Sequence, residues 1–147
     1  MKKITTYLLL CALFILCGLT TAAQTEKKPE LLTNETFKKK VWNYVESPKE
    51  FKYLGDKPCI IDFYADWCGW CRKIAPFLEE FCNTYDGQIY VYKINTDQQK
   101  DLQSLFQVKS LPTIMFIPMK GAPITIKGAL SKEQFVQYIQ QILLEKK

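Results

Sequence analysis

Two cysteines three positions apart anchor the stretch Trp67-Cys68-Gly69-Trp70-Cys71. At the start of a helix, residues at this spacing lie side by side. Unpaired backbone N–H groups and the helix dipole favour an anion there, so a thiolate at Cys68 is stabilised. The thiolate is the reactive form of the group. One Cys-x-x-Cys also fits half of a zinc site. No second such pair follows, the chain has 0 His, and Arg72 stands where haem attachment needs His. The pair therefore reads as a redox dithiol, Cys68–Cys71, with no metal ligated and no organic cofactor required. The missing His also removes Ser-His-Asp and Cys-His nucleophilic pairs.

Two further residues stand out. Asp62 interrupts the apolar run Cys59-Ile60-Ile61-Asp62-Phe63-Tyr64-Ala65, six positions before Cys68. Burial of a carboxyl is costly and raises its pKa. Such a group, close to Cys71, can take and return that thiol's proton. A satisfied buried polar residue, or an edge position facing water, is the other reading. Pro112, in Ser110-Leu111-Pro112-Thr113, precedes a predicted strand. A cis bond there would leave the backbone of Leu111 free to pair with an extended peptide; a plain strand-start proline is the alternative.

The elements that must position these residues follow from pattern. Thr33-Asn34-Glu35 caps a helix carrying Phe37, Val41, Tyr44 and Val45, which Ser47-Pro48 ends; Lys49 to Pro58 is a mixed loop. Cys59 to Ala65 reads as a strand buried on both faces. A helix from Trp70 to Tyr85 contains Pro76, which predicts a kink. Ile89 to Ile94 is a strand, and Asp97 to Phe106 a short helix. Thr113 to Ile117 and Ile124 to Lys127 are strands joined by a short turn, hence antiparallel. Ser131 caps a last helix that faces inward through Phe135, Tyr138, Ile139, Ile142 and Leu143. This order gives one α/β domain, a central mixed sheet with helices on both faces.

The chain of 147 residues has a net charge of +5 and 48% hydrophobic residues. That is globular composition, without the dense basic stripe of a nucleic-acid binder. Its start differs from the rest. Met1-Lys2-Lys3 is basic, Tyr7 to Leu19 is almost wholly apolar, and Thr20-Thr21-Ala22-Ala23 offers a small-residue cleavage site. This three-part pattern reads as a secretory signal peptide over 1–23, followed by a flexible leader over 24–30 and a domain over 31–147. An uncleaved anchor from Ile4 to Ala23 is the alternative; Leu16 before Cys17 departs from a lipid-attachment site. Cleavage removes Cys11 and Cys17 and places the mature protein in the periplasm or outside the cell, where disulfides persist. Cys59 and Cys82 read as small buried hydrophobes. A disulfide between them is the alternative, because the returning helix carries Cys82 toward the start of the central strand.

The chain resembles the thioredoxin family. The likeness runs from Leu31 to Lys147, through Ile61 to Cys71, Val91-Tyr92-Lys93-Ile94-Asn95-Thr96-Asp97, Leu111-Pro112-Thr113 and Gly128-Ala129-Leu130-Ser131-Lys132. The resemblance implies the thioredoxin fold, Cys68 as nucleophile, Cys71 as resolving cysteine, and Asp62 as buried acid–base group with Lys93 near it. It implies a cis Pro112 and a substrate groove lined by Trp67, Gly69, Trp70, Leu111, Pro112 and Gly128. It further implies a monomer that reduces disulfides of exported proteins and is recharged by a membrane thiol reductase. A net oxidant or isomerase would use the same cysteines, and a non-catalytic module would only hold client chains near Trp67 and Pro112. The chain departs from the family at Trp70, where proline is typical, at Tyr64, where tryptophan is common, and in the longer Lys49-to-Pro58 segment. Trp70 brings a backbone N–H that proline lacks. If it points at the Cys68 sulfur, it makes the pair more oxidising.

Overall fold

In chain order the elements are β1 (Glu30–Leu31), α1 (Asn34–Lys40), β2 (Cys59–Tyr64), α2 (Gly69–Thr84), β3 (Tyr90–Asn95), α3 (Lys100–Leu105), β4 (Thr113–Ile117), β5 (Ile124–Lys127) and α4 (Lys132–Tyr138). They come from a computed structural model that describes residues 26–145. The signal-peptide reading of 1–23 lies outside those residues. The strands form one sheet in the order β1-β3-β2-β4-β5. β2 pairs parallel with β3 and antiparallel with β4, as the mixed-sheet expectation requires.

β2 is the middle strand, and its residues Cys59 to Phe63 are all buried. Alternate side chains of a strand point to opposite faces. Ile61 and Phe63 pack with Phe37 of α1 and Leu102 of α3. Ile60 packs on the other face with Ile74 and Leu78 of α2 and Phe135 of α4. The helices thus cover both faces. Full burial of each such side chain stabilises by about 1.5–3 kcal/mol, and these contacts hold the layers together.

The parity of β2 settles the two remaining cysteines. Cys59 lies on the Ile61 face, whereas Cys82 packs with the cluster on the α2 face. The sheet separates them, and both thiols are free. Burial pushes the Cys59 thiol up to about 12, against a smaller opposing pull from the Tyr53 side chain. The antiparallel return of α2 matched the two residues along the strand but not across it.

Other boundaries differ from the sequence reading for local reasons. Lys27, within the segment read as a leader, contacts the end of α2: its backbone N–H donates to Asn83 Oδ1 (3.0 Å) and its ammonium pairs with Asp86. Glu30 already belongs to β1, pairing parallel with Tyr92 of β3. α1 ends at Lys40, because the chain turns to bury both Val41 and Trp42. Trp42 N–H reaches back to Phe37 O (3.2 Å), leaving Tyr44 outside the helix and Val45 67% exposed. α4 begins in a capping box between Ser131 and Gln134 and passes into a π-helical turn over Ile139–Leu143. That turn keeps Phe135, Ile139 and Leu143 buried. Among the described residues no helix is long and apolar enough to cross a membrane.

The long segment before β2 is packed rather than loose. Phe51 and Tyr53 lie on the core, and Tyr53 O–H donates to Lys57 O (2.6 Å). A Cβ at Gly55 would run into the Tyr53 hydroxyl. Gly55→Ala is therefore expected to destabilise the protein by about 1–3 kcal/mol, the scale of overpacking. Urea unfolding checks this, and the added methyl is expected to cost far less in a Tyr53→Ala background.

Candidate active site

The chain leaves β2 at Tyr64 and enters α2 within a few residues, which fixes where the dithiol stands. Cys68 is the N-cap of α2 in extended conformation (φ −76°, ψ 106°), and Gly69 begins the helix. Cys68 N–H donates to Ala65 O (3.1 Å), closing the turn. Cys71 follows in the first helical turn, and the two are joined as a disulfide with Cα atoms 5.3 Å apart. The N–H that reaches Cys68 Sγ is that of Cys71, at 3.1 Å. The donor expected from Trp70 is thus supplied one residue later, by a group that proline at position 70 would leave in place.

The dithiol lies in a small apolar cluster. Ala65, Cys68 and Cys71 are buried together, with Tyr64 and Leu111 packed against them. Leu111 comes from a distant loop, and the Leu111–Pro112 peptide is cis. Pro112 O accepts from Gly128 N–H (2.8 Å), and Gly128 has φ +96°, a conformation that glycine adopts without steric cost. The structure therefore brings Cys68, Cys71, Leu111, Pro112 and Gly128 to one end of the sheet. Around them stand two exposed indoles, Trp67 at 69% and Trp70 at 61%.

Asp62 is completely buried, and neither carboxyl oxygen has a hydrogen-bond partner. By strand parity it shares the face of Ile60, the one that α2 covers. Burial raises its pKa to about 7, against a smaller opposing pull from Lys93. Lys93 is opposite Asp62 in the β2–β3 register. Its ammonium, however, sits 4.1 Å from the centre of the Tyr64 ring. Tyr64, noted in the sequence only as a departure, is thus the residue that holds the nearby cation.

Other neighbours were not visible in the sequence as site residues. Trp67 Nε1 donates to Asp97 Oδ2 (2.8 Å), a contact across 30 positions. Asn95 Nδ2 donates to Asp66 Oδ2 (3.3 Å), and Asn95 Oδ1 accepts from Asp97 N–H (2.9 Å). Lys73 places its ammonium 4.1 Å from the Trp70 ring centre. That last pair had a signal: two residues at i,i+3 on one helix face.

Asp62 gives a pH-dependent stability with a definite sign. Its folded pKa of about 7 lies above the ordinary value of 3.8. The folded chain keeps a proton that the unfolded chain releases between those values. The associated stability is full below about pH 4 and is lost as pH rises to about 7, some ~4 kcal/mol in all. An Asp62→Ala variant lacks this loss. Its stability relative to wild type is expected to rise steadily from pH 4 to 7 and level off above, as read by urea unfolding across pH.

Comparison with known proteins identifies the family and the fold. The family model described as thioredoxin matches residues 28–141. The chain is 43% identical over 109 residues to a thioredoxin of Borreliella burgdorferi, covering 74% of this chain and 92% of that one. It is 32% identical over 112 residues to thioredoxin 1 of a Nostoc species, covering 76% and 94%. The crystal structure of chloroplastic thioredoxin z superposes with a TM-score of 0.63 at 28% identity, covering 80% of this chain and 96% of that one. With a buried Cys-x-x-Cys pair at the head of a helix in this fold, the chain belongs to the thioredoxin family and is a thiol–disulfide oxidoreductase of that type.

Proposed function

We propose that the protein works after export, in the periplasm or outside the cell, and reduces disulfides of exported proteins through Cys68 and Cys71. The observation that carries the chemistry is the position of Cys68. Its sulfur caps α2 and accepts the Cys71 N–H, so negative charge on it is favoured. The export reading rests on the basic start, apolar run and small-residue site within residues 1–23.

In the reducing direction the Cys68 thiolate attacks one sulfur of a client disulfide. A mixed disulfide forms, and the first client thiolate leaves. Cys71 then gives its proton to the Asp62 carboxylate, and its thiolate attacks Cys68 Sγ. The second client thiolate leaves and takes up a proton, and the Cys68–Cys71 disulfide remains. Two electrons have passed from enzyme to client. Asp62 suits the middle step because a carboxyl titrating near neutrality can both accept and return a proton. Trp67, Gly69, Trp70, Leu111, Pro112 and Gly128 would line the groove that receives the client backbone. A membrane thiol reductase would return the pair to the dithiol state.

Insulin reduction tests the dithiol roles. Cys68→Ala is expected to abolish turnover, and Cys71→Ala to stop at the mixed disulfide with the client trapped. Retained turnover in Cys68→Ala contradicts the reading. Asp62→Asn is expected to slow resolution by about 100-fold near pH 7, with little change in the first attack. The defect narrows above about pH 9, where an ordinary thiol ionises unaided. Equal slowing of both steps would show that Asp62 does not serve Cys71. Mass spectrometry of the exported fraction is expected to find a chain beginning at Gln24; an intact chain held in the membrane fraction would contradict cleavage.

A further inference from the structure

The first turns of α2 carry three exposed side chains beside the dithiol: Trp70, Arg72 and Lys73. Together with Gly69 they line a shallow depression. Lys73 is held over the Trp70 ring. Arg72 Nη1 donates to the backbone oxygen of Asp66 (2.9 Å), which fixes the guanidinium near Gly69. Among the described residues the ion pairs are Lys27–Asp86, Lys40–Glu30, Lys100–Asp97 and Lys132–Glu80. Neither Arg72 nor Lys73 is among them. Two positioned cations therefore line the depression beside an exposed indole, and among the described residues neither lies within ion-pair distance of a carboxylate. Asp66 and Asp97 stand on the side toward the end of β3, where Asp97 accepts from Trp67 Nε1 and pairs with Lys100 (3.3 Å).

We propose that the Trp70–Arg72–Lys73 rim selects client disulfides that carry an acidic side chain next to the reacting cysteine. The carboxylate seats between the guanidinium and the ammonium, and the aliphatic part of the client side chain lies on Trp70. The proposal deepens the reduction reading above and rests on it. Exposed ion pairs are individually weak, and two of them together favour an acidic client by about fivefold. Charge complementarity of this kind acts on encounter and register, and it fades as salt screens it.

Three disulfide-linked peptides test this, identical except for Glu, Gln or Lys beside the cysteine, with dithiothreitol as reductant. Expected kcat/KM falls in the order Glu, Gln, Lys, with about fivefold between the first two at low ionic strength. The spread collapses in about 0.5 M salt, where screening is nearly complete. In a variant carrying both Arg72→Glu and Lys73→Glu the order inverts. The salt dependence of the wild-type ratio is a second readout that needs no variant. Equal rates for the three peptides, or an order that survives charge reversal, overturn the proposal and leave the reduction reading intact. No turnover with any peptide overturns the reduction reading and this proposal together.

Discussion

A carboxyl group with two unpartnered oxygens in the middle strand of the sheet sets the terms for the rest of the molecule. Removing a carboxylate from water without replacing its hydrogen bonds costs several kcal/mol, and the group responds by holding its proton. The fold tolerates this because β2 is paired along both edges and its neighbours Ile60, Ile61 and Phe63 are completely buried. Lys93 would lower the Asp62 pKa further if it formed a close ion pair. Tyr64 instead holds the ammonium over its ring, so the carboxyl is influenced by a cation and not neutralised by one. The result is a group whose proton is available near neutrality.

The dithiol is built on the continuation of the same strand. Two residues beyond Asp62, Tyr64 ends β2 and packs against the cluster of Cys68 and Cys71. The turn through Ala65 then delivers Cys68 to the head of α2. One rigid strand thereby carries both a proton site beneath α2 and a sulfur site at its N-terminus. The loop with Leu111 and cis Pro112 closes the cluster from the other side, held by the Pro112–Gly128 hydrogen bond. In the proposed mechanism, proton handling would lie inside the protein and client recognition on its rim. On that rim Lys73 and Arg72 stand near Trp70, while Trp67 meets an Asp97 that is paired with Lys100.

Much of this was legible in the sequence, for identifiable reasons. Cys68 and Cys71 stand out because their spacing and the absence of His exclude most other chemistries. Asp62 stands out because a charge interrupts an apolar run. The alternation of β2 also contained the answer for Cys59, since odd positions from 59 to 63 share one face and α2 covers the other. Sequence distance along antiparallel elements suggested a cysteine pair that the sheet itself forbids. Other features depend on tertiary placement. The contact of Trp67 with Asp97 and the stacking of Lys93 on Tyr64 arise from the β2–β3 register. β1 has only 2 residues, too few for a periodic pattern. The end of α1 is set by Trp42, whose burial outweighs the helical spacing of Tyr44 and Val45.

The central claim is that Asp62 holds its proton to near neutral pH because it is buried and unpartnered. The most direct measurement is the carbon-13 chemical shift of the Asp62 side-chain carboxyl, followed by NMR across pH in the disulfide form. The account predicts a titration midpoint near the value of about 7 that burial imposes. A midpoint near about 4, the ordinary value for a solvated aspartate, would contradict it.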